Sequence, residues 1–187
     1  MRARSLAVVL VALSVLSAGC ASTGQPDSST ASAQSVVTHG SSRSAGPSAP
    51  AKMICGDEIR SAIQVTLGLP DTPRPTSTWA DQIFTCSYPV GGGTLALSVQ
   101  DSPDTTSGGA YFAELQSRLP DAQALPEAAG MGLPSFATPD GNVAFLKDGK
   151  TLRVDASGLP ATSLPTGSSS GEVAYAVAAA VVGCWTE

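Results

Sequence analysis

The groups in this 187-residue chain that could carry chemistry are four cysteines, one histidine and fifteen carboxylates. His39, the sole histidine, lies in a Ser/Ala-rich stretch. Neither a histidine-based triad nor a zinc site with several histidines is therefore expected in a folded domain. No Cys-x-x-Cys spacing occurs, which argues against a thiol oxidoreductase or a zinc knuckle. Asp101 and Asp104 flank Ser102-Pro103 and, with Thr105 and Thr106, could offer oxygens to calcium. The spacing of a complete calcium loop is missing, so the run reads as a turn, as does Asp140-Gly141-Asn142. Gly91-Gly92-Gly93 suggests a phosphate cradle until its context is read: no lysine follows, and a strand rather than a helix comes next. Ser168-Ser169-Ser170-Gly171 lacks a nucleophile-elbow pattern and reads as a helix-capping loop. Trp79 and Trp185 could line an aromatic ligand site, but packing accounts for them as well. No cofactor and no metal site is expected.

Charge narrows the classes further. The formal net charge is −5. From residue 53 onward six cations stand against fourteen carboxylates, a formal −8, with Lys147, Lys150 and Arg153 making up half of the cations. Nucleic acid is not an expected partner of such a surface; an acidic solvated face is.

The elements that must position these groups follow from periodicity. Asp57 and Glu58 open a helix with the stripe Ile59, Ala62, Ile63, Thr66 and Leu67, closed by Gly68 and Pro70. Pro73-Arg74-Pro75 makes a stiff loop. Ile83–Val90 is a strand with Phe84, Cys86 and Tyr88 on one face, and Leu95, Leu97 and Val99 alternate on the strand returning after the glycines. A helix around Ser107–Leu119 carries Tyr111, Phe112, Leu115 and Leu119, and Phe136 marks a short strand after a Gly/Pro-rich passage. Val143–Lys147 turns at Asp148-Gly149 into a strand with Leu152 and Val154. Ser169 and Glu172 have capping-box spacing for a last helix running to about Cys184. The order helix-hairpin, helix-hairpin, helix predicts an α+β fold: two layers, an antiparallel sheet of two hairpins with helices on one face.

Ahead of this domain, Met1–Arg4 is positive, Ser5–Leu16 is apolar and uncharged, and Ser17-Ala18-Gly19 is a small-residue exit. That is the layout of a signal peptide over residues 1–19, with a core too short for a comfortable membrane span. Leu16-Ser17-Ala18-Gly19-Cys20 resembles a bacterial lipobox, although Ser17 stands where an aliphatic residue is usual and Leu16 lies one place further out. The resemblance implies diacylation of Cys20, which then becomes the N-terminus, and two acyl chains suffice for stable anchoring at the extracytoplasmic face of the cell membrane. The alternative is ordinary cleavage giving a freely secreted domain. Residues 20–52 are mostly Ser, Thr, Ala, Gly and Pro with no aromatic residue and almost no charge, and read as a disordered tether with a mean reach of about 30 Å. Residues 53–187 form one extracytoplasmic domain, expected to be a monomer.

With Cys20 lipidated, Cys55, Cys86 and Cys184 remain, and an exported chain makes pairing among them plausible. Their odd count leaves three single bridges open. Cys184 shares a helical stripe with Val177 and Val181, where it fits as a small hydrophobe. The chain is similar to a class of small actinobacterial lipoproteins of unknown function. The matching features are the lipobox, the tether, Cys55 before a helix ending Leu67-Gly68, Cys86 with Tyr88, Gly130-Met131-Gly132 through Ala137, and Val143–Leu146 with Lys147-Asp148-Gly149. Pro134-Ser135 and Cys184 depart from that pattern. The resemblance implies a Cys55–Cys86 disulfide and supplies no catalytic residues. The function expected is a non-catalytic binding or interaction module of the cell envelope. The alternative, a carboxylate-based hydrolase, needs two Asp or Glu facing each other across a cleft, and no motif positions such a pair. An apolar pocket between sheet and helices would favour a small-molecule or lipid ligand; a flat surface would favour a protein partner.

Overall fold

The structure, a computed structural model, describes residues 46–185. The signal segment, Cys20, His39 and most of the tether lie outside the described residues. The first described element falls within the stretch that composition assigns to the tether. Ala49–Met53 forms a short helix, α1, whose first turn is capped by Ser48 accepting from Ala51 N–H. Ala51 and Ile54 are fully buried. Folded structure thus reaches back past Met53, because a small apolar residue suffices there to seat the chain on the core.

Asp57–Leu67 is α2. Its carboxylates Asp57 and Glu58 sit at the positive end of the helix dipole, and Ile59, Ile63 and Leu67 are buried at i, i+4 and i+8. Gly68 ends it in the left-handed region, φ 62°, where a Cβ would be strained. Seven strands follow: β1 Thr76–Ala80, β2 Ile83–Val90, β3 Gly93–Asp101, β4 Gln123–Ala124, β5 Ser135–Ala137, β6 Asn142–Lys147 and β7 Lys150–Asp155. α3 spans Thr105–Arg118 and α4 Ser170–Cys184. All seven strands join one sheet in the order β1-β2-β3-β7-β6-β5-β4, every neighbouring pair antiparallel. The α+β class holds, with a wider sheet than two hairpins supply. The two halves are fused by β3 and β7, which pair from Ala96–Asp155 to Asp101–Lys150.

Register sorts the side chains onto two faces. Phe84, Cys86, Tyr88, Leu95, Leu97, Val99, Leu152, Val154, Val143 and Phe145 line one face. On it pack the buried residues of α2 and of α4, where Val173, Ala174, Val177, Ala178, Val181 and Val182 make a small-residue surface that admits close approach. α3 departs from the one-face expectation: Phe112 packs with Phe136 and Ala144, which point away from that core. The phenyl centroids of Phe112 and Phe136 are 5.1 Å apart. A cradle of glycines makes this docking close, since a Cβ on Gly108 would lie 2.3 Å from the Gly149 carbonyl oxygen. The two ends of the described chain are tied together as well. Trp185 is buried, its indole N–H donates to Pro50 O, and Lys147 Nζ donates to Trp185 O.

Candidate functional site

Cys55 and Cys86 are disulfide-bonded, with Cα atoms 5.8 Å apart, joining the residue just ahead of α2 to the core face of β2. Cys184 lies half-buried near the end of α4, packed against the main core. Asp104 caps α3: its carboxylate accepts from Ser107 N–H at 2.8 Å and from Ser107 Oγ at 3.0 Å. These bonds, the backbone one above all, hold its pKa below the usual aspartate value. Asp101 accepts from Ser48 N–H at 2.7 Å and faces Lys150 Nζ at 3.8 Å. Both carboxylates of the possible calcium loop are thus spent on structural partners. Gly91 and Gly92 form the β2–β3 turn, both with positive φ. Trp79 is half-buried on the edge strand β1 and Trp185 is in the core.

Asp140-Gly141-Asn142 makes the β5–β6 turn and anchors a polar network on the α3 face. Asp140 accepts from the Thr138 hydroxyl and from Asn142 Nδ2 at 3.0 Å, which lowers its pKa, the Thr138 bond contributing most. Asn142 Oδ1 in turn receives Arg153 through Nε at 2.8 Å and Nη2 at 2.6 Å, and Asp155 takes Nη2 at 2.7 Å. The guanidinium is neutralised by its own strand, so this network orders the turn and offers no anion site.

A feature with room for a ligand lies at the other end of the core face. An apolar pocket of about 490 Å³ is bounded by three separate stretches of chain. Leu125 and Ala129 come from the passage between β4 and β5. Ala137 and Val143, paired across β5 and β6, form the strand wall, continued by Thr138 and Pro139. Ser169, Gly171, Glu172 and Tyr175 come from the start of α4. Its size falls within the range of small-molecule sites. Local chemistry fixes each wall. The passage winds on its own backbone, Gly130 N–H donating to Pro126 O and Leu133 N–H to Gly130 O, and Tyr175 OH donates to Ala129 O at 2.9 Å. Ser169 and Glu172 form a complete capping box: Ser169 Oγ accepts from Glu172 N–H, and Glu172 Oε2 accepts from Ser169 N–H at 2.7 Å and Oγ at 3.0 Å.

Glu172 is the one ionisable carboxylate or cation among the lining residues. The Ser169 backbone and hydroxyl bonds hold its pKa below the ordinary glutamate value. A carboxylate so stabilised is a weaker base than usual, and the serine beside it is already committed to the cap. What the walls supply instead is apolar area and a fixed negative charge at the edge. Sequence reasoning picked out Ser169 and Glu172 only as a cap and did not find this site. The chain matches no family model, no curated protein and no solved structure.

Proposed function

We propose that the protein is a membrane-anchored lipoprotein of the extracytoplasmic face whose domain binds a small apolar molecule, without chemistry of its own. The pocket beside Tyr175 carries this reading: an apolar cavity of about 490 Å³ between the sheet and α4 is the feature that favours a small ligand over a protein partner. The Cys20 lipobox and the likeness to small actinobacterial lipoproteins support the anchoring half. Acyl chains at Cys20 hold the domain near the bilayer, so the pocket has no need to contribute to membrane attachment.

Native mass spectrometry of the chain purified mildly from its own envelope tests the ligand. The parent should retain an added mass that Ala129→Trp, which fills the pocket, abolishes. Absence of retained mass, together with no uptake of neutral apolar dyes that Ala129→Trp removes, overturns the reading. Fractionation tests the anchor: Cys20→Ala should leave the membrane fraction or remain uncleaved, and a parent without acyl mass on its N-terminal peptide refutes lipidation.

A further inference from the structure

The pocket's polar rim restricts what can enter it. Three of the lining residues carry hydroxyls, Thr138, Ser169 and Tyr175. Each already gives its proton to an acceptor within the chain: Thr138 to Asp140, Ser169 to Glu172, Tyr175 to Ala129 O. A hydroxyl has one proton to donate, so none of the three can offer a hydrogen bond to an anionic ligand without breaking a bond it holds. The first-turn amides of α4, Ser170 and the pocket-lining Gly171, with a helix dipole of about half a charge, are the remaining attraction for an anion. Glu172 sets a full negative charge in the first turn of that same helix. Both Ser169 bonds reach its Oε2, so Oε1 takes part in neither. The side chains of the rim are therefore rich in acceptors and poor in free donors.

We infer that the ligand is an amphiphile that brings its own donor: an apolar body against Leu125, Ala137, Val143 and Tyr175, and a hydroxyl or ammonium end facing Glu172. Carboxylates and phosphates of the same body are disfavoured by the full negative charge of Glu172. This rests on the reading of the pocket as a binding site.

Three probes with one body and different ends test it: octylamine, 1-octanol and octanoate, added to the full chain in zwitterionic nanodiscs at pH 7. Hydrogen exchange of the amides in 125–130 and 171–176 reports occupancy at the pocket itself. Half-protection by octylamine and octanol should come at concentrations at least tenfold below that for octanoate. Glu172→Gln removes the charge while keeping a residue that serves in capping boxes, and there the difference from octanoate should shrink to about threefold or less. Comparing the two chains in the same nanodiscs cancels partition of each probe into lipid. Octanoate protecting as well as the amine overturns the ligand class and leaves the pocket reading standing. An undiminished difference in Glu172→Gln also overturns it, since some group other than Glu172 then sets the preference. Protection by none of the three overturns the pocket reading with it.

Discussion

Cutting the Cys55–Cys86 bridge measures how firmly α2 is pinned to the sheet. Cys55→Ala is the informative change, because it removes the bond and leaves the fully buried Cys86 sulfur in the core. The bridge spans 31 positions, so in the chain-entropy view it withholds roughly 3–4 kcal/mol of freedom from the unfolded chain at 25 °C. The Cα separation of 5.8 Å sits at the common value for native bridges, so no backbone adjustment is needed to release that contribution. For a domain of this size each kcal/mol corresponds to about 3–4 °C in melting temperature, which puts the expected drop at about 9–16 °C. Thermal unfolding followed by circular dichroism reads it, with the variant held in mild reductant so that Cys86 and Cys184 form no new link. A drop below about 3 °C would refute the reasoning, as would a non-reduced peptide map of the parent joining Cys184 to either partner.

Thr151 is buried with its hydroxyl unpartnered, so Thr151→Val should raise stability by about 1 kcal/mol in urea titration; a loss of stability would show that the hydroxyl is satisfied in solution. Gly108→Ala drives a methyl against the Gly149 backbone at 2.3–2.6 Å and should cost about 2–3 kcal/mol by lifting α3 from the β6–β7 turn, with a urea midpoint within error of the parent counting against the close docking. Asp104, Asp140 and Glu172 all have lowered pKa values in the fold, chiefly through the Ser107 N–H, the Thr138 hydroxyl and the Ser169 N–H respectively. The native state therefore binds fewer protons than the unfolded chain, and their contribution is complete above the ordinary values of 3.8 and 4.5 and is lost as pH falls through the lowered ones. Urea midpoints should stay level from pH 7 to 5 and decline below about 4.5; a decline already complete at pH 5 would contradict this assignment.

Much of the architecture was legible because local chemistry and tertiary demand coincide. Gly68 closes α2 where a left-handed residue is required, Asp148-Gly149 turns β6 into β7 with both residues at positive φ, and Ser169 with Glu172 opens α4. β1 was missed for an equally local reason. Its turn to β2 places Asp81 and Gln82 at φ 51° and 62°, a conformation that usually announces itself through Asn or Gly, and its residues are mostly exposed polar ones. The side on which α3 packs was written in β6 but read on one face only. Val143 and Phe145 belong to one core and Ala144 to the other, so the unbroken apolar run marks a strand covered on both faces. The pocket left no such trace. Its walls come from stretches around 125, 137–143 and 169–175, and no periodicity within one segment reports a space between three.

Closing an open apolar pocket of this size would take its lining out of water, so something must hold its walls apart. Here each wall is held by bonds that do not involve the cavity. Ala137 and Val143 are fixed by strand pairing, Ser169 and Glu172 by the reciprocal cap, and Ala129 by the Tyr175 hydroxyl. Moving any wall inward would break hydrogen bonds to gain dispersion contacts. The passage between β4 and β5 is the wall with the least support: β4 is two residues long and β5 three, and Met131 stands at φ 55° with 43% of its surface exposed. Selection by such a site follows from what its fixed walls present, apolar area and one negative charge, more than from reshaping around the ligand.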